Sequence, residues 1–104
     1  MNTPISFPLA ELLNRKGLPG LERFYENKKH YDMNPKKYTI ADVVMWLYEE
    51  HKIWISVNRE PESGVFYFSV DKNKGNFFYD KGGDFKSPEA AYEAAIEYVL
   101  NKLI

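Results

Sequence analysis

Between Thr39 and Lys52, in TIADVVMWLYEEHK, apolar positions recur three and four residues apart. Ile40, Val43, Val44, Leu47 and His51 fall on one side of that repeat, with Asp42 and Glu49 opposite. The spacing predicts an amphipathic helix over about 39–52. Thr39 is placed to cap it, Asp42 stands at the third helical position of a capping box, and Tyr38 and Val43 are spaced as a hydrophobic staple. The period then changes to two. In IWISV, Ile53, Ile55 and Val57 alternate with Trp54 and Ser56, and in VFYFSV, Phe66, Phe68 and Val70 alternate with Tyr67 and Ser69. Each run predicts a strand, and the short REPESG link, with Pro61 and Gly64, makes the pair antiparallel. DKNKGN carries Asn73 and Gly75 for a tight hairpin into a third short strand, NFFYD, whose register three consecutive aromatic residues leave open. After the KGGDFK loop, Ser87 and Pro88 start a last helix that runs to the C-terminus. Its apolar stripe is Ala91, Ala95, Val99 and Leu103 with Tyr92 and Ile96, and Glu93, Glu97 and Asn101 face water.

The first 38 residues are patterned less clearly. FPLAELLNRKG reads as a short helix carrying Phe7, Leu9, Leu12 and Leu13 and stopped by Gly17, Pro19 and Gly20. LERFYENKKHYDM fits either a continued helix or a hairpin turning at NKK. The expected whole is one α+β domain over 1–104: an N-terminal helical extension, 1–38, and a core, 39–104, in α-β-β-β-α order. Each core helix has one apolar stripe, so both belong on one face of an antiparallel three-stranded sheet. Ile53, Ile55, Val57, Phe66, Phe68 and Val70 then fill the layer between. The opposite face receives Trp54, Tyr67 and at least one of Phe77, Phe78 and Tyr79, an aromatic surface larger than a monomer usually leaves bare. Trp54, Tyr67 and Phe78 are therefore candidate partner-binding residues, and Phe7, Leu9, Leu12, Leu13, Leu18, Leu21 and Phe24 are the nearest source of an intramolecular cover.

Composition narrows the chemistry. The 104 residues hold 44% hydrophobic and 16% aromatic side chains, too many for a disordered chain, and no cysteine, which excludes disulfides, thiolate nucleophiles and cysteine zinc sites. The N-terminus lacks a basic region followed by an apolar run, so a cytoplasmic protein without a membrane partner is expected. His30 and His51 have no ligand spacing around them, no serine lies in a nucleophile elbow, and no glycine loop has a phosphate-binding pattern. No metal, no cofactor and no catalytic residue is expected, hence a non-enzymatic protein.

A net charge of -1 gives no bulk attraction to nucleic acid, but two lysine groups stand out. Lys28, Lys29, Lys36 and Lys37 lie within KKHYDMNPKK, and Lys72, Lys74, Lys81 and Lys86 surround the third strand. They read first as a solvated surface. If they meet, with Tyr31 and Tyr38 between them, Lys28, Lys29, Lys36, Lys37, Lys72 and Lys74 would line a single-strand nucleic-acid groove. The order of elements is also that of a double-stranded RNA-binding domain, where the second helix opens with lysines that grip phosphate. Here that turn reads SPEAAYE, and Glu89 and Glu93 would repel phosphate.

The segments SFPLAELLNRKG, ADVVMWLYEEHKIWISV and SPEAAYEAAIEYVLNKLI together resemble a group of small uncharacterised phage and prophage proteins of anaerobic gut bacteria. That group opens with FELAKxLKEKGF, has a central VxxWLREKHxI and ends with SYEEAxEAAI. Trp46, Leu47 and His51 match the centre, and Tyr92, Ala94, Ala95 and Ile96 the end; Lys86 to Pro88 departs from the usual polar lead into the last helix. The group has no assigned activity, so the resemblance implies a mobile-element association and carries over no catalytic residue. Two functions are thus expected in order: an accessory protein that binds another protein or itself, and, as the alternative, a nucleic-acid-binding module using the lysine loops.

Overall fold

The computed structural model describes residues 3–17, 28–33, 38–72, 76–78 and 84–104. It is an α+β protein: α1 (Phe7–Arg15), the six-residue α2 (Lys28–Met33), α3 (Ile40–His51), β1 (Ile53–Arg59), β2 (Phe66–Lys72), β3 (Asn76–Phe78) and α4 (Pro88–Lys102). Local chemistry sets the helix starts. Thr39 Oγ1 accepts from the Asp42 amide at 3.3 Å while Asp42 Oδ2 accepts from the Thr39 amide at 2.9 Å, so two otherwise orphaned donors are satisfied reciprocally. Ser87 Oγ accepts from the Ala90 amide at 3.1 Å, with Pro88 in the first turn of α4. The far end of α3 turns on a single residue. Lys52 takes φ 56°, ψ 36°, and this left-handed step sends the chain straight from helix into β1.

β1 and β2 form an antiparallel hairpin over their full length, from Ile53 opposite Lys72 to Arg59 opposite Phe66. Its loop closes with the Glu60 amide on the Val65 carbonyl at 2.8 Å and the Gly64 amide on the Glu60 carbonyl at 2.9 Å. Gly64 takes φ +74°, where a side chain would be strained. Of the third strand expected over 76–80, the described part is Asn76–Phe78, which pairs with β2 over three positions. Next to it, Phe66 and Phe85 exchange two backbone hydrogen bonds, which ties the lead-in to α4 to the same side of β2. The strands run order β1-β2-β3, so β1 is an edge.

The core lies on one side of this sheet. Ile53, Ile55, Phe68 and Val70 face Ile40, Val43, Val44 and Leu47 of α3 and Ala95, Ile96, Val99 and Leu100 of α4, all in one buried cluster. Val57 packs on this cluster but is only partly buried, and Phe66 is half-buried, because the hairpin reaches past the two helices. Alanine at 91 and 95, both fully buried, lets α4 sit close to β1 and β2.

The N-terminal segment departs from expectation. Before α1, the Ile5 amide donates to the Tyr38 carbonyl and the Ile40 amide to the Thr3 carbonyl, each at 3.0 Å, so residues 3–5 lie along the start of α3. α1 then packs on α4 and α2, and Ile5, Leu9, Ala10 and Leu13 join the same buried cluster as the sheet residues. Lys16 Nζ donates to the Ile104 carbonyl oxygen at 3.1 Å, so α1 and α4 end side by side. α1 is therefore part of the helix side of the core and does not cover the opposite sheet face. α4 buries Leu100 in addition to the expected stripe, and α1 packs on α4 within the same cluster. Leu18, Leu21 and Phe24, the other proposed covers, lie outside the described residues. Of the alternatives for 21–33, the described part, Lys28–Met33, is helical.

Candidate functional site

Antiparallel register assigns the outer face directly, since partners across a ladder share a side. Trp54 stands opposite Asp71, which stands opposite Phe77; Ser56 faces Ser69 and Asn58 faces Tyr67. In the backbone register, Phe78 pairs with Val70 and Phe77 with Asp71. The expected aromatic platform is thus interrupted by two serines, an asparagine and an aspartate. Tyr67 is partly buried on this face.

Apart from Met33 on α2, the exposed large apolar side chains gather at a corner. Among the described residues, the exposed large hydrophobic side chains are Met33 (73%), Met45 (45%), Tyr48 (48%) and Trp54 (40%). Met45 and Tyr48 lie one helical turn apart on α3, and the Tyr48 and Trp54 rings meet edge-on with centroids 5.4 Å apart. α3 packs on one side of β1 and Trp54 emerges on the other. β2 blocks one flank of β1, so the ring contact passes the free flank. Lys52 Nζ lies 6.0 Å from the Tyr48 ring centre and donates to the Glu49 carbonyl at 3.2 Å, which places a cation beside the rings. The second tryptophan differs: Trp46 is partly buried against the core, with the His51 ring edge-on at 5.0 Å.

The lysine candidates are dispersed over separate elements. Lys28 and Lys29 begin α2, where Lys29 is exposed. Lys72 ends β2, partly buried, opposite Ile53. Lys36, Lys37 and Lys74 lie outside the described residues. α2 packs on α1 and on no strand, so Lys29 and Lys72 sit on elements that do not touch. Tyr38, expected between the clusters, packs partly buried against the core.

A shallow cleft of about 110 Å³ runs between α1 and α4, lined by Ser6, Pro8, Leu9, Leu12, Glu93 and Glu97. It is small for a metabolite. Among the described residues, no three His, Asp or Glu side chains converge as metal ligands, and no helix is long and apolar enough to cross a membrane. The chain matches no protein-family model, no curated protein and no solved structure. The Met45–Tyr48–Trp54 corner was only half legible beforehand. Trp54 followed from strand alternation, but its partner Tyr48 sits on a helix, and no local pattern joins the two.

Proposed function

We propose that this protein is a non-enzymatic accessory protein of a phage or mobile element, cytoplasmic, that works by protein–protein contact through the Met45–Tyr48–Trp54 corner. The carrying observation is the Tyr48–Trp54 ring pair held in solvent at the open flank of β1. Exposed aromatic and methionine side chains grouped together are the composition of protein interfaces. The mobile-element setting rests on the resemblance of the three quoted segments, and the non-enzymatic character on a sequence without nucleophile elbow, phosphate loop or ligand spacing. The order α3-β1-β2-β3-α4 is read as a double-stranded-RNA-binding-domain-like topology put to another use, because Glu89 in the first turn of α4, and Glu93 one turn on, oppose phosphate.

Photo-crosslinking tests this reading. A benzophenone side chain at position 54 should give protein adducts in host lysate well above those from position 90, an exposed site on α4. Short RNA and DNA should show no salt-sensitive binding. Equal yields at both positions, together with nucleic-acid binding that Lys29→Ala and Lys72→Ala weaken, would replace the proposal with the lysine-loop alternative.

A further inference from the structure

The cleft between α1 and α4 has an apolar floor and an acidic rim. Pro8, Leu9 and Leu12 supply the floor from α1, while Glu93 and Glu97, one turn apart on α4, supply the rim together with Ser6 at the N-cap of α1. Farther along, Lys16 Nζ on the Ile104 carbonyl ties the ends of the two helices, so the cleft lies toward the start of α1. Like charges at this helical spacing oppose each other. Among the described residues nothing neutralises them: Arg15 lies 3.8 Å from Glu11, Lys16 is bound to Ile104, and neither Glu93 nor Glu97 enters an ion pair. The first amides of α1 carry about half a positive charge, which the pair of carboxylates outweighs. Ser6 caps none of those amides with its side chain, so its hydroxyl oxygen remains an acceptor.

We infer that this cleft receives a lysine side chain presented by another protein, a contact separate from the Met45–Tyr48–Trp54 corner, with which it shares no residue. Size sets the first limit. A cavity of about 150 Å³ holds one benzene ring, so a cleft of about 110 Å³ suits one side chain and no more. Charge sets the second. A lysine lays its four-carbon stem on apolar surface and keeps its ammonium at the wet rim, which here means the stem over Leu9 and Leu12 and the head between Glu93 and Glu97. The ammonium has three donors that rotate to suit, and Glu93, Glu97 and the Ser6 hydroxyl offer it an acceptor each. Arginine fits less well, because its planar fork is matched to the two oxygens of one carboxylate and not to carboxylates set a helical turn apart. An acidic side chain is repelled, and a wholly apolar one leaves the paired glutamates without a counter-charge.

Methyl NMR of the intact, leucine-labelled chain tests this with three acetylated and amidated tripeptides that differ only in the central residue of a Gly-Lys-Gly frame: lysine, norleucine or arginine. The lysine peptide should give saturable shifts at the Leu9 and Leu12 methyl groups in the millimolar range, and should bind about fivefold more tightly than the norleucine peptide, the scale of one exposed ion pair. It should also bind more tightly than the arginine peptide. Replacing both glutamates, Glu93→Gln with Glu97→Gln, should reduce lysine binding to the norleucine level without lowering the urea midpoint, because the same change removes a like-charge pair from α4. No saturable shift at Leu9 and Leu12, equal binding of lysine and norleucine, tighter binding of arginine, or lysine binding indifferent to the double substitution each overturns the inference. Crosslinking from position 54 reads the corner separately, so either contact can fail while the other stands.

Discussion

Replacing Leu13 with alanine removes three carbon groups from a side chain that is fully buried between α1 and the rest of the core. At about 0.8 kcal/mol per buried methylene the transfer loss is roughly 2.4 kcal/mol. A residual cavity adds to this, and measured Leu→Ala costs in cores span about 2 to 5 kcal/mol. α1 packs at the margin of the core, on α4 and the short α2, where it can settle into the space, so a total of about 2.5 to 3.5 kcal/mol is expected. Urea unfolding followed by circular dichroism reads this as a lower midpoint at constant slope. Leu12, one position earlier and only partly buried, is the internal control, and Leu12→Ala should cost about 1 kcal/mol. A Leu13→Ala midpoint within 0.5 kcal/mol of the parent, or no different from Leu12→Ala, would refute the placement of α1 in the core (about the size of an ordinary surface substitution).

Three further substitutions test separate joints of the fold. Ala95→Leu should overpack the seat of α4 on the hairpin and cost about 1 to 3 kcal/mol, measured by the same urea titration. Thr39→Ala removes one half of the capping box and should cost about 1 kcal/mol, whereas Thr39→Ser should be nearly silent in thermal melts. Gly64→Ala forces a side chain into φ +74° and brings its Cβ to 3.3 Å from the Arg59 guanidinium. The strain should cost about 1 to 2 kcal/mol, mostly from the backbone because the arginine tip can move.

The parts of this fold that could be read beforehand are those whose cause is local. Thr39 and Ser87 cap the helices they precede, and alternation puts Ile53, Ile55, Phe68 and Val70 inside. The strands run two residues further than their apolar runs, to Arg59 and Lys72, because backbone pairing continues after the core ends. The parts that could not be read depend on distant packing. Leu100 lies off the Ala91–Ala95–Val99 stripe and is fully buried in the core cluster that α1 also joins. That packing puts α1 away from its expected place over the outer face. Phe77 and Phe78 are chemically alike, so only the pairing of Val70 with Phe78 and Asp71 with Phe77 tells them apart. At the candidate site, strand alternation identified Trp54 as outward-facing, while Met45 and Tyr48 read simply as helix positions until the two elements were seen together.

The placement of α1 is what leaves Trp54 and the edge of β1 open, and nuclear Overhauser contacts from selectively methyl-labelled leucine and isoleucine test it most directly. Leu9 and Leu13 methyl groups should show contacts to Ile96 and Leu100 of α4 and none to the Trp54 indole ring, which remains 40% exposed. Contacts from Leu9 or Leu13 to the Trp54 ring, with none to Ile96 or Leu100, would put α1 across the outer sheet face and contradict the account.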